Sequence, residues 1–194
     1  MNLFLKELSI EDKNEVLLMC EEFRKENSKD PFEGVNNFGR FDTYENFLED
    51  LSLNKHIEDV NPKYVSQTTL GLFDEKGHIY GAINIRHYLV ESLMKRGGNI
   101  GYAIRPSERR KGYASQMLRL GIEKAREMGV NKGTEFEDKL LVTCRKDNIG
   151  SSKTILNCFG ELASEEYCEA NDSIEQTYWI DNKIVLDKVS KKSR

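Results

Sequence analysis

The stretch NIGYAIRPSERRKGYASQMLRLGIEKAREMG, residues 99–129, restricts the fold more than any other part of the chain. Its first residues read as a β-strand that Pro106 stops, because proline has no N–H to give to a sheet ladder. From Gly112 to Met128, Ala114, Met117, Leu118, Gly121, Ala125 and Met128 fall on one helical stripe. Gln116, Arg119, Glu123, Lys124 and Glu127 take the polar side, and Gly129 suits the position after a helix end. LLVTC, 140–144, then reads as a strand of apolar and β-branched residues. A strand, a helix and a strand in one crossover should be parallel at their ends and right-handed in connection.

The flanks supply further elements. LFLKELS near the start is a short strand. Ser9 opens a helix with Asp12 in a capping-box-like position and Val16, Leu17, Cys20 and Phe23 at helical spacing. Asp42 and Glu45 mark a second helix start, running to about His56 with Tyr44, Phe47, Leu48 and Leu51 as its stripe. Between the helices, PFEGVNNFGRF (31–41) reads as an irregular loop, and NPK (61–63) as a turn. From Val65 the period changes to two. VSQTTLGLF and HIYGAINIRHYL read as strands joined by the DEKG turn, where Gly77 can take a positive φ. In the second, alternation puts Ile79, Gly81, Ile83, Ile85 and His87 on one face and Tyr80, Ala82, Asn84, Arg86 and Tyr88 on the other. VESLMKRGG reads as a connection. IGSSKTILNC is a short helix closed by Gly160, ELASEEYC and IEQTYWI are strands, and the tail KVSKKSR is frayed.

The fold class is therefore α/β (α+β): a mixed, mostly antiparallel twisted sheet of about seven strands with four helices. The 194 residues suit one domain, 1–194. A net charge of −4 argues against general nucleic-acid binding, although Arg105, Arg109, Arg110, Lys111 and Arg119 are available for it. No apolar run approaches the roughly 20 residues that span a bilayer. With no signal-peptide pattern at the start, the four cysteines read as reduced thiols and the expected location is cytoplasmic. His56, His78 and His87 are scattered, none at ligand spacing from a cysteine, so no metal is expected.

The basic turn between Pro106 and the helix carries the chemistry. A helix start leaves backbone N–H groups without intrahelical partners and, with the helix dipole, forms a site for anions. Gly112 lets a ligand approach the backbone, and a flanking arginine adds charge-assisted hydrogen bonds. Spacing alone leaves open both a solvated basic turn and a pyrophosphate cradle. Neither GxxxxGK[ST] nor GxGxxG occurs there, so nucleotide hydrolysis and hydride transfer lose their main support.

Arg109-Arg110-Lys111-Gly112-Tyr113-Ala114 resembles the R/Q-x-x-G-x-G/A signature of the GNAT superfamily of N-acetyltransferases. NIGYAIRPSERRKGYA is similar to that family's fourth strand entering its acetyl-CoA loop, and Asn148 and Ser151 resemble its N-x-x-S/A after the fifth strand. The resemblance implies an acetyl-CoA-dependent transferase, with residues 1–64 on the acceptor side, 65–160 as the acetyl-CoA-binding core and 161–187 as C-terminal strands. It implies that backbone N–H groups of Arg110, Lys111, Gly112, Tyr113 and Ala114, with Arg109, hold the pyrophosphate. Backbone of Tyr102, Ala103 and Ile104, where strands four and five splay apart, would pair with the pantetheine amides. Asn148 would bond the same arm; its alternative role is a plain helix start.

The chain departs from the family pattern in three places. The early glutamate of many relatives falls at Asn99, the tyrosine of their short helix falls at Ile155, and Gly-Phe is replaced by Phe159-Gly160. Proton transfer then has other candidates: His87, whose type titrates near neutrality, Glu91 just beyond it, and Tyr178 as acid. Each has an ordinary structural alternative, and positioning of the amine could supply most of the catalysis instead. The expected reaction moves an acetyl group to a primary amine in one ternary complex. The alternative is a non-catalytic acyl-CoA-binding module. The partner is a small-molecule or peptide amine; the acidic stretches 7–15 and 42–50 lean toward a cationic one, with a homodimer left open and neither nucleic acid nor membrane expected. In such folds the acceptor is chosen by the early helices and loops, here about 26–64 and 88–98, and by the last hairpin, and those segments carry no motif. Phe32, Phe38 and Phe41 either line its pocket or pack their loop. NKGTEFEDK (131–139) reads as a solvent-facing insert.

Overall fold

The computed structural model describes residues 2–26, 40–57, 61, 64–169, 172–181 and 183. Most of the loop at 31–41, including Phe32 and Phe38, most of the turn at 61–63 and the tail lie outside the described residues. The elements run β1 (Leu3–Glu7), a 3-10 turn (Ile10–Asp12), α1 (Lys13–Lys25), α2 (Tyr44–Leu53), β2 (Gln67–Asp74), β3 (Ile79–Arg86), α3 (Glu91–Lys95), β4 (Ile100–Ile104) and a 3-10 turn (Pro106–Glu108). Then follow α4 (Tyr113–Glu127), β5 (Lys139–Arg145), α5 (Ile149–Asn157), β6 (Glu161–Cys168) and β7 (Ser173–Asp181).

Most elements follow local chemistry. Asp12 Oδ2 accepts from both Ser9 N–H and Ser9 Oγ at 2.9 Å, which starts the first helical segment. The second helix is capped by Thr43 rather than Asp42, its Oγ1 accepting from Asn46 N–H at 3.1 Å. One helix beyond the four expected, α3, forms inside the stretch that reads as a plain connection; it is little more than one turn, with the exposed pair Glu91–Lys95 along its side.

Among the described residues, seven strands form two sheets rather than one. The first has the order β1-β2-β3-β4 and the second β5-β7-β6, with every pairing antiparallel. β5 gives one whole edge to β7, from Lys139 opposite Asp181 to Arg145 opposite Glu175. Its other edge meets β4 near the start of both strands. There Asn99 N–H donates to Leu141 O at 2.7 Å, and Leu141 N–H returns a bond to Asn99 Oδ1 at 2.9 Å. Beyond that point the strands separate, and Gly101 and Tyr102 face Thr143 and Cys144 across a cavity.

Asn99 is fully buried and holds this junction with its whole amide. Its Nδ2 donates to Arg86 O at 3.3 Å and to Asn131 Oδ1 at 3.1 Å, while Asn131 Nδ2 donates back to Asn99 Oδ1 at 3.1 Å and to Lys139 O at 2.8 Å. The segment 131–139 is thus anchored at its first residue, and Phe136 stacks on Trp179 at 5.2 Å between ring centroids.

The core has two parts. On one face of the first sheet, Met117, Leu118, Ile122 and Ala125 of α4 pack with Ile83, Ile85 and Ile100, continuing to Ile155 of α5 and Tyr178 of β7. On the other face, Val16, Met19 and Phe23 of α1 and Phe47 of α2 pack with Phe73, Ile79 and Ala82. Phe41 belongs here, 5.6 Å from Phe47 between centroids, so it packs against this part of the core. Ile79 and Ile83 therefore lie in different clusters, against the simple alternation. The cause is a bulge: Leu72 opposes Gly81 while Phe73 opposes Ile79, so Tyr80 is an extra residue and its side chain joins the face of Ile83.

Candidate functional site

The turn before α4 is shaped by two left-handed residues, Arg110 at φ +62° and Gly112 at φ +86°. Gly112 is the N-cap of α4, and a Cβ there would meet no atom within 4 Å, so it opens onto free space. Successive N–H groups in such a turn form an anion-binding concavity, and the first turn of α4 adds its own N–H groups. Arg110, Gly112, Tyr113, Ala114 and Ser115 line one wall of a groove of about 630 Å³; Tyr102, Ile104, Asn148, Ser151 and Lys153 line the rest.

The basic side chains divide into different roles. Arg105 is buried, with Nε on Glu22 at 2.7 Å and Nη1 on Glu15 at 3.0 Å, and Glu22 also accepts from Ser107 N–H at 3.0 Å. It braces the turn against α1. Arg109 bonds Glu26 at 2.6 Å, Ile104 O at 3.2 Å and rests over the Phe23 ring, although it lines the groove. Lys111 pairs with Glu108 at 3.0 Å. Arg110 alone of the four forms no ion pair among the described residues.

β4 offers alternate residues to the groove. Arg105 N–H bonds Tyr80 O, and Ala103 sits opposite Ala82 in the ladder. By antiparallel alternation, the backbone groups of Ala103 point to β3, and those of Tyr102 and Ile104 point away from it. Ile104 O confirms the direction by accepting from Arg109. The expectation that Ala103 offers free backbone is corrected: Tyr102 and Ile104 line the groove and Ala103 does not.

Asn148 caps α5, its Oδ1 accepting from Ser151 N–H at 3.0 Å, so the helix-start role is realised while the residue also lines the groove. Ser151 Oγ lies 2.9 Å from Tyr102 Oη. Burial pushes the Tyr102 phenol above its usual range, so it stays protonated. A second cavity, about 660 Å³, continues the groove on the other side of Tyr102, Asn148 and Ser151. Its walls include Arg86, Arg96, Thr143, Cys144, Arg145, Asp147 and the buried Glu175.

The three candidates for proton transfer lie elsewhere. His87 Nε2 is 2.9 Å from Thr68 Oγ1 on the far side of β3, and its neighbour Arg86 reaches the cavity instead. Tyr178 is a core residue that donates to Gln176 Oε1 at 2.8 Å. Glu91 is exposed and paired with Lys95 at 2.7 Å, at the edge of a smaller pocket that meets the cavity through Glu175. Asn99 is the pin of the strand junction, and Ile155 is wholly buried, so neither departure from the family pattern is made good at its own position. Phe159 takes a left-handed φ of +63° at the end of α5, with Gly160 N–H on Ile155 O.

A family model described as an acetyltransferase (GNAT) domain matches residues 2–158. The chain belongs to the GNAT acetyltransferase family. It is accordingly an acyltransferase by family, and the groove lies where the family signature falls. A sequence comparison with curated proteins gave no match.

Solved structures share the fold. One is a chimera of the Vibrio cholerae spermidine N-acetyltransferase SpeG with hSSAT: 13% identity, TM-score 0.60, covering 96% of this chain and 99% of that one. The self-immunity acetyltransferase MccE in complex with acetyl-CoA and AMP gives 20%, 0.59, and 91% of each chain. The ribosomal alpha-N-protein acetyltransferase RimL in complex with coenzyme A gives 14%, 0.61, and 94% and 96%. Among the described residues no helix of this GNAT protein is long and apolar enough to cross a membrane, and no cluster of three His, Cys, Asp or Glu could hold a metal.

Glu175, Arg86 and Arg145 were not legible as site residues. Glu175 and Arg145 meet only through the β5–β7 register. For Arg86 a signal existed: strand alternation sets it on the face opposite His87.

Proposed function

We propose that the protein transfers the acetyl group of acetyl-CoA to a primary amine by direct attack in one ternary complex. The observation that carries this is the continuity of the cleft: an anion-shaped groove and a polar cavity share one wall, Tyr102, Asn148 and Ser151. The donor and acceptor can enter from opposite sides and meet there.

The residues present fit the donor. Backbone N–H groups of the Arg110–Ala114 turn would hold its pyrophosphate, with Arg110 adding charge. Tyr102 and Ile104 would offer strand backbone to the pantetheine amides, as an added β-strand does. Acetyl-CoA supplies the activated thioester. On the chain's side, the amine must lose one proton and the departing sulfur must gain one. Glu175, a cavity carboxylate, would receive the first, and the Tyr102–Ser151 hydroxyl pair would return the second. Holding the amine against the thioester would contribute further.

The test pairs binding with turnover. Acetyl-CoA and CoA at about 100 times Kd should each stabilise the protein by roughly 2.7 kcal/mol in thermal unfolding, with ATP giving less. An amine panel should then release free thiol. Binding without thiol release from any amine would leave a non-catalytic acyl-CoA module. No shift at millimolar acetyl-CoA would defeat the donor assignment itself.

A further inference from the structure

The acceptor half of the cleft is lined by one more cation than anion: Arg86, Arg96 and Arg145 against Asp147 and Glu175. Of its three arginines, Arg145 is neutralised by Asp147, Nε to Oδ1 at 3.1 Å. Arg86 and Arg96 form no ion pair among the described residues. Arg86 is aimed rather than loose: its Nη1 donates to Gly97 O at 3.2 Å and to Gly98 O at 3.1 Å. That leaves Nε and Nη2 without a protein acceptor among the described residues, the edge of a guanidinium that takes two oxygens of one anion in parallel bonds. Burial lowers the Arg86 pKa from its ordinary value through desolvation alone. A guanidinium partly withdrawn from water is stabilised by an anionic partner. Arg96 is exposed at the rim of the same cavity.

We infer that this cavity is an acceptor subsite for an amine that also bears an anionic group, a carboxylate or a phosphate, held by Arg86 with Arg96 at the rim. The amine end then lies toward Glu175, Tyr102 and Ser151. This rests on the acetyl-transfer reading and narrows it. The acidic stretches do not oppose it, since none of their carboxylates lines the cavity. Glu7 pairs with Lys55, Glu15 with Arg105 and Glu45 with Lys13. A polyamine would instead set its cationic tail against two unpaired guanidinia.

The experiment compares matched pairs on the CoA-loaded protein: an amino acid with its carboxamide, and phosphoethanolamine with ethanolamine, with spermidine as the cationic case. Calorimetric binding and thiol release are both read. The anionic member of at least one pair should bind at least about tenfold more tightly, as charge-assisted hydrogen bonds imply. The pair that responds separates carboxylate from phosphate. Arg86→Gln should collapse that ratio while the acetyl-CoA thermal shift persists, which shows a folded donor site. Because Arg86 also holds two loop carbonyls, Arg96→Gln serves as a second variant, with a smaller loss in the same direction. Equal binding within both pairs, tighter binding of spermidine, or a ratio that both variants leave intact overturns the subsite. Anion-dependent binding without thiol release overturns the transfer reading and leaves the subsite standing.

Discussion

The two halves of the cleft are built from different materials. The donor half is mainly backbone: two left-handed residues, a helix start and the outward edge of β4, all within residues 102–115. The acceptor half is side chains, with Arg86 from β3, Arg96 beyond α3, Thr143 from β5 and Glu175 from β7. A backbone site is written as a local pattern, because glycine and a helix start must sit at fixed spacing. A side-chain site drawn from four elements has no spacing at all, and topology assembles it.

The contrast can be broken at the junction both halves depend on. Asn99→Ala leaves Leu141 N–H and the Asn131 amide without their partner in a buried place, at about 1–3 kcal/mol per unpaired group. Urea unfolding should show a loss of about 3 kcal/mol, the largest effect expected; a loss below about 1 kcal/mol would mean the strands are held elsewhere. Gly112→Glu strikes the donor half alone. It puts negative charge and a strained φ where the anion would sit, so the roughly 2.7 kcal/mol of acetyl-CoA stabilisation should vanish. Acceptor binding by calorimetry should persist.

Tyr102→Phe tests the shared wall. If its hydroxyl returns the proton to sulfur, kcat falls about a hundredfold with little change in acetyl-CoA affinity; a fall under about threefold removes it from that role. Its phenol is raised by burial, so the acidic form persists as pH rises, and no alkaline loss of rate through about pH 10 should trace to it. The smallest effect is Glu26→Gln, which frees Arg109 from an exposed pair worth about 0–1 kcal/mol. CoA should bind up to about fivefold more tightly, and weaker binding would show that Arg109 must be tethered to work.

The same contrast explains what could be read in advance. The strands and all but the shortest helix follow from period, caps and punctuation, and the family signature falls on residues that the groove does gather. Single-residue events were hidden. Tyr80 is one residue too many in β3, and nothing in its local pattern says so; the partner register does. Ala103 sits between two groove residues but faces the ladder. His87 and Tyr178 have suitable chemistry, yet Thr68 and the core hold them. Asn99 looks like a lost base and is a structural pin because its partners lie 32 and 42 residues away in sequence.

Arg105 and Arg109 reach from the donor turn to Glu15 and Glu22 on α1 and to Glu26 at its C-cap. The turn is therefore coupled to a helix that makes none of the groove. Linkage makes such a coupling reciprocal: whatever steadies the last turn of α1 by a given factor in donor affinity is itself steadied by the donor to the same extent. Donor affinity is then open to adjustment from α1, at a distance from every residue that lines the groove.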